Sequence, residues 1–264
     1  MKKETQEYTP QIPESLNRVG ITNLRILVKT GKENKEYRFV PKIEITIDLP
    51  REKKGVHMSR LVESIAETVS EEAFEKHMTF EELEKNVLEK LREKHPYKRG
   101  EVSMATELVI KKRTPVSRRE TMETHDVLIK VIYEKGGYRK VLKVKVLGNT
   151  VCPHSLENTK RPHIQRAIGE LEIETGINNQ VILQDMVECV EKSFSTEVYT
   201  LIKTEDENHM VERMYENPMF VEDVTRAILN NARGMFKDCK IRAKTTAQES
   251  IHRHDVIAEG EVSS

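Results

Sequence analysis

The sequence has no tryptophan, and aromatic residues of every kind make up only 5% of it. Cysteine is scarce as well. Three residues, an odd number and widely spaced, exclude the disulfide framework that staples small secreted domains. No stretch approaches the roughly 18–20 apolar residues needed to cross a bilayer. The segment from Met1 to Asn17 is polar, carries Pro10 and Pro13, and lacks the apolar centre of a signal peptide. These absences predict a cytoplasmic protein with no membrane association and a loosely ordered polar leader over residues 1–19. Net charge is missing too, with 44 Lys and Arg against 44 Asp and Glu. A balanced chain gives no general argument for binding nucleic acid or an anionic membrane, so a strongly anionic ligand would need a local basic patch.

What is present is a globular composition, 37% hydrophobic and 33% charged over 264 residues. That is enough for one large domain or two small ones. Gly20 to Thr30 is an apolar-rich strand candidate. Ile43 to Leu49 alternates apolar and polar residues without a break, so the segment predicts a strand with one buried face, ended by Pro50. Met58, Leu61, Val62, Ile65 and Val69 recur at helical spacing. Phe80, Leu83, Val87, Leu88 and Leu91 mark a second helix, with Thr79 and Glu82 as a capping box and His95-Pro96 as its stop. Strands about Glu101–Lys112 and Thr121–Tyr133 follow, and Gly136-Gly137 makes a turn.

The second half repeats this order. Val141 to Leu147 reads as a strand, Gly148 to about Ile164 as a loop, and Arg166 to Thr175 as the next strand. Ile182, Met186, Cys189 and Val190 mark a helix. Another is expected to start at Asn217-Pro218, with Asn as cap and a stripe of Phe220, Val224, Ala227 and Ile228. Strands over Cys239–Thr245 and Ile251–Ala258 close the chain. The layout predicts an α+β protein of two β-β-α-α-β-β modules in tandem, antiparallel sheets with helices on one face. The first module spans 20–135. The second spans 136–264 and carries the interrupting loop.

Candidate chemistry concentrates in that second half. Cys152 lies in the loop with little packing reason to be there, and His163 follows just before the next strand. Thiolate and neutral imidazole are metal-binding forms, so the two could meet at one ion; spacing alone favours an incidental thiol in a solvated loop. Cys189 shares a helical stripe and reads as core, as does Cys239. On a strand, His252 and His254 would point to one face, where two imidazoles bind metal or move protons near neutral pH. Glu222-Asp223 near a helix start, and Lys203 to Glu207 between helices, fit either the helix dipole or a bidentate contact to a planar ligand edge. Lys53 to Arg60 is basic and enters the first long helix, where backbone N–H groups with Lys54, Ser59 and Arg60 nearby suit phosphate oxygens; a solvated basic turn is the alternative.

Taken together, Lys54-Gly-Val-His-Met-Ser-Arg60, Cys152-Pro-His-Ser155, His163-Ile-Gln-Arg166, Leu201-Ile-Lys203 with Asp206-Glu207, Asn217-Pro-Met-Phe-Val-Glu-Asp223 and Glu249-Ser-Ile-His-Arg-His-Asp255 resemble the type IB GTP cyclohydrolases and their archaeal relatives of the methanopterin pathway. The six segments keep the family's order over about residues 20 to 258. The resemblance implies a tunnelling fold (T-fold), a homodimer or homotetramer with active sites at subunit interfaces, and GTP as substrate. It places the metal on Cys152, His163 and Glu207, with His252 as a further ligand. It gives Glu222 the guanine edge, and Lys54, Ser59, Arg60, Arg166 and Lys203 the phosphates. Cys152, Glu249, His252 and His254 form the catalytic set. Archaeal relatives favour one Fe(II) per subunit, and the donor set would also accept Zn(II) or Mn(II).

Bacterial members have a second cysteine where this chain has His154, and their interval from the cysteine to the matching histidine is about one residue longer. This chain therefore resembles the archaeal members. The implied product is 7,8-dihydroneopterin 2′,3′-cyclic phosphate with diphosphate and formate, the first step toward tetrahydromethanopterin. The bacterial alternative is 7,8-dihydroneopterin triphosphate. Two rivals differ in kind: another tunnelling-fold pterin or queuosine-pathway enzyme, and a non-enzymatic protein of the same fold with an empty pocket.

Overall fold

A computed structural model describes residues 4–32, 35–71 and 79–264; the first three residues of the expected leader fall outside it. The chain divides into two compact units interleaved in sequence. One comprises residues 1–106 and 128–141, the other 107–127 and 142–264.

The first unit opens with a 3-10 turn, Thr5–Glu7, and then strands β1 (Leu16–Arg25), β2 (Val28–Lys32), β3 (Lys35–Phe39) and β4 (Lys42–Leu49). Helices α1 (Met58–Glu71) and α2 (Phe80–Lys94) follow. Three long strands contribute residues to both units: β5 (Arg99–Arg113), β6 (Glu120–Glu134) and β7 (Gly137–Val151). Sheet order in the first unit is β1-β4-β5-β6-β7, while β2 and β3 form a separate hairpin. β4 behaves as its alternation demands: Ile43, Ile45, Ile47 and Leu49 are buried, and Ile45 pairs with Ile21 and Val102. The α2 cap is as read. Thr79 Oγ1 accepts from the Glu82 N–H at 3.2 Å, and Glu82 returns the bond to the Thr79 N–H at 2.8 Å.

The α1 stripe departs from expectation. Leu61 and Ile65 are buried, but Met58 and Val62 are exposed, and the remaining inward positions are Ser64 and Thr68. These hydroxyls are tolerated inside because each donates one turn back, to Arg60 O and Ser64 O, at 2.7 Å. Glu84 on α2 is fully buried. Its oxygens lack well-formed hydrogen bonds, and burial holds its carboxyl well above the usual range despite backbone groups at Met104 and Val131. A raised carboxyl favours the folded state at low pH and progressively loses that contribution as pH rises through the folded pKa. Glu84→Leu is therefore expected to raise stability at pH 7 by about 1–3 kcal/mol and to flatten the acid side of the stability profile, read by urea unfolding from pH 4 to 8. A less stable mutant at pH 7 would refute this account.

The second unit continues with α3 (Pro153–Thr159), β8 (Ile164–Gly176), α4 (Leu183–Glu191), the two-residue β9 (Thr196–Glu197), α5 (Thr204–Glu216), α6 (Val221–Met235), β10 (Cys239–Ala247) and β11 (Val256–Ser263). Its strand order is β5-β6-β7-β8-β10-β11, with β9 on β7. Leu171 and Ile173 on β8 and Ile241 and Ala243 on β10 are buried, as are Met186, Val190, Val224 and Ile228 on the helices. Phe194 fills the space over β7 so closely that a Cβ on Gly148 would lie 2.2 Å from its ring, which accounts for glycine there.

Three expectations are corrected. The segment Gly148 to Ile164 is not an open loop: β7 runs on to Val151, and α3 occupies the middle. α6 starts after Phe220, not at Pro218. Asn217 instead closes α5, its N–H donating to Arg213 O at 2.9 Å, and Asp223 accepts from the Phe220 N–H at 3.2 Å. Phe220 is consequently exposed, and the stripe runs through Val221, Val224, Thr225, Ile228 and Ala232. The last strand begins at Val256, which leaves 249–254 as a bent connection.

Candidate active site

The ends of the 152–163 excursion are stapled together. The Cys152 N–H donates to His163 O at 3.3 Å, so the residue after β7 and the residue before β8 are backbone neighbours. Cys152 caps α3, its Sγ accepting from the Ser155 N–H at 3.4 Å. Sequence spacing could only allow Cys152 and His163 to meet; the paired strand ends make their backbones neighbours. His154 lies on the exposed side of α3 with Asn158 Nδ2 on its carbonyl at 2.8 Å.

The β8–β10 register brings a third group to the same end. Ala167 pairs with Ala247, and the Gln248 N–H donates to Arg166 O at 2.9 Å. Two steps further Glu249 stands beside Gln165, whose Nε2 donates to Glu249 Oε1 at 3.0 Å. Gln165 Oε1 lies 3.0 Å from His163 Nδ1, and Glu249 Oε2 is 3.7 Å from that nitrogen. His163, Gln165 and Glu249 therefore form one linked cluster beside Cys152. Gln165 was missed as a functional candidate. Its signal is a polar side chain on the inward face of β8, in alternation with buried Ala167 and Gly169.

His252 and His254 are exposed and lie on bends, not on a strand face as expected. Their rings nonetheless stack, with centroids 5.1 Å apart and planes 15° apart. Glu207 is exposed in the first turn of α5, its N–H donating to Lys203 O at 2.9 Å. α5 is anchored by Met210 and Met214, which pack with Val151, the residue before Cys152. The neighbouring Asp206 has a different role. It is buried and accepts from the N–H groups of Val116, Ser117 and Lys203 and from the Ser117 hydroxyl, bonds that hold its carboxyl far below the usual range against the effect of burial. Glu222 is exposed in the first turn of α6, and Arg166 and Lys203 are exposed on β8 and at the start of α5.

Lys54, Ser59 and Arg60 belong to the first unit. There the N-terminal turn lies against the basic segment: Gln6 O accepts from the Lys54 N–H at 3.0 Å, Glu4 contacts Arg60 and His57, and Glu7 contacts Lys53.

Cys152 and His163 suit a divalent ion by donor chemistry, a soft thiolate and an imidazole held at one strand end. Among the described residues, no three or more His, Cys, Asp or Glu groups are arranged to hold a metal within the chain. Glu207 and His252 are thus not gathered with the other two. Among the described residues no helix is long and apolar enough to cross a membrane.

Comparison with known proteins identifies the family and the fold. The family described as Type I GTP cyclohydrolase folE2 matches residues 3–258. The chain is 52% identical to the GTP cyclohydrolase MptA of Pyrococcus abyssi, over 98% of this chain and 99% of that protein. It is 51% identical to the protein of that name from Thermococcus kodakarensis, over 97% and 98%. Among solved structures, a uricase from Arthrobacter globiformis aligns with a TM-score of 0.57 at 10% identity, covering 94% of this chain and 93% of that one. A uricase from Bacillus fastidious aligns at 0.54 with 10% identity, covering 94% and 93%. At such identities these two establish the fold alone, an α+β tunnelling fold. The chain belongs to the type I GTP cyclohydrolase family, with the archaeal proteins named MptA among its relatives.

Proposed function

We propose that this protein is a metal-dependent GTP cyclohydrolase, a hydrolase that opens the imidazole ring of the guanine and releases C8 as formate. The reading is supported by the family match over nearly the whole chain together with the stapling of Cys152 to His163. Cys152 and His163 would hold the ion, with Glu207 and His252 completing the set once copies of the chain associate. An ion held there would supply Lewis acidity for activating a water at that end. Fe(II), one per subunit, is the expected metal, and Zn(II) or Mn(II) are substitutes.

The chain's own groups do the rest. One imidazole of the stacked pair, His254 where His252 ligates the ion and otherwise His252, donates a proton to the ring nitrogen as the C8–N bond opens. Glu249 keeps its carboxylate at the same end through Gln165. Glu222 accepts two N–H bonds from the 2-amino edge of the base. Arg166 and Lys203 bind the phosphates, joined by Lys54, Ser59 and Arg60 from a neighbouring copy of the chain. With His154 in place of a second cysteine, the product is the 2′,3′-cyclic phosphate of 7,8-dihydroneopterin, with diphosphate leaving.

The test is anaerobic incubation with GTP, Fe(II) and a thiol, with formate measured and the pterin identified by mass. Formate with a cyclic phosphate is expected. Formate with a triphosphate would keep the activity and overturn the product. No formate with any of the three metals would sink the cyclohydrolase reading.

A further inference from the structure

We infer that Gln165 is a positioning residue that fixes the tautomer of His163 and leaves Nε2 as the nitrogen able to hold a metal; the inference rests on the proposed reading of His163 as a ligand. The argument starts at Glu249, whose side chain is only 9% exposed. An ionised carboxylate can accept hydrogen bonds but not donate them. The amide end of Gln165 that meets Glu249 Oε1 at 3.0 Å must therefore be its NH2. The other end is then the amide oxygen, 3.0 Å from His163 Nδ1. An amide oxygen is also an acceptor only, so Nδ1 carries the hydrogen. A neutral imidazole has one such hydrogen, and Nε2 is left with a free lone pair.

The fold holds this relay in place. Gln165 is buried on β8 and cannot satisfy its amide in water. The β8–β10 register, continued by the Gln248–Arg166 bond, sets Glu249 opposite it. Glu249 Oε2, at 3.7 Å from Nδ1, is beyond hydrogen-bonding distance, so the carboxylate acts on the ring through the amide. Fixing the second nitrogen of a ligating histidine orients the ring and raises its basicity, and losing that partner typically lowers metal affinity about 10–100-fold.

Two readouts test this without recourse to turnover. The first is the affinity of the purified full chain for Fe(II) and Zn(II), by anaerobic competition with a chelating dye. The second is the tautomer of His163 in the metal-free chain, from imidazole 15N shifts at alkaline pH. The variants are Gln165→Met and the exchange Gln165→Glu with Glu249→Gln, which reverses the relay but still places an acceptor on Nδ1.

Gln165→Met is expected to weaken metal binding about 10–100-fold and to shift His163 toward the Nε2–H form that imidazole prefers in water. The exchange is expected to restore both the Nδ1–H tautomer and the affinity. An unchanged tautomer in Gln165→Met overturns the inference, whatever the metal does. So does an exchange variant that folds as the wild type does yet stays as weak as Gln165→Met. If the wild type binds no divalent ion but loses its Nδ1–H signal in Gln165→Met, the relay stands and the metal reading falls.

Discussion

Formate release from GTP is expected to fall by at least about 10²–10³-fold in Cys152→Ala, the scale on which losing a group that acts at the reacting centre is felt. The fold should survive. Cys152 is only half buried, and its Sγ accepts a single long bond from the Ser155 N–H at 3.4 Å. Losing that cap costs about 0.5–1 kcal/mol, at the low end for N-caps because sulfur is a weak acceptor. Cys189 supplies the contrast. It is buried on α4, and burial pushes its thiol up to about 11, so it stays a neutral core group. Cys189→Ala should therefore lower stability while sparing formate release. The check is formate per mole of protein at saturating Fe(II), with bound metal measured on the same samples and thermal unfolding alongside. A well-folded Cys152→Ala protein with full activity would remove the proposed site.

How far the sequence could be read depends on where each constraint comes from. β4 was legible because one face of it is buried, and Ile43, Ile45, Ile47 and Leu49 say so locally. The α2 cap was legible because Thr79 and Glu82 act on each other within one turn. α5 was not foreseen: only Asp206, Met210 and Met214 are buried on it, and its acidic first turn resembles a solvated linker. Locally only the Lys203 N–H, three residues back, favours Asp206 over Glu205 and Glu207. The choice is made by N–H groups of Val116 and Ser117, some ninety positions upstream. The candidate site divides in the same way. Cys152 and His163 could be proposed from residue chemistry, but their meeting needed the β7–β8 ends to close. Gln165 needed the β8–β10 register. His252 and His254 do come together, through ring stacking on a bend and not through the strand alternation that first paired them.

Lys112→Met is expected to destabilise the chain by about 3–5 kcal/mol at pH 7, the cost of stranding buried carboxylates without their cation. Lys112 Nζ lies 2.7 Å from Glu191 Oε2 and 2.9 Å from Glu197 Oε2, and all three side chains are largely buried. Tyr199 adds a hydroxyl donor to Glu197 at 2.8 Å. Burial alone would lower the Lys112 pKa, but its bonds to the two glutamates outweigh burial and hold it above the ordinary value. Burial raises Glu191, while Lys112 brings Glu197 below its usual range against the same effect. In the wild type, the Glu197 contribution is therefore present above about pH 4.3 and lost as pH falls through its depressed folded pKa. The Lys112 contribution is complete below about pH 10.4 and lost as pH rises through its raised folded pKa.

Removing Lys112 reverses the acid side at Glu197 and strengthens the trend already present at Glu191. Both carboxylates are then buried without the cation that bonds them, Glu197 keeping only the weaker charge of Arg213, so their folded pKa values rise. The mutant gains stability on acidification from both carboxylates, where the wild type gains it from Glu191 alone and loses it at Glu197. His125 pushes the same way. Its Nε2 is 3.9 Å from Glu191, and burial followed by the Lys112 charge lowers its pKa. Without Lys112 it protonates more readily beside Glu191. The melting temperature should thus fall by on the order of 10 °C at pH 7, and the gap to wild type should narrow by pH 5. A gap that widens on acidification would show that Lys112 does not neutralise this pair.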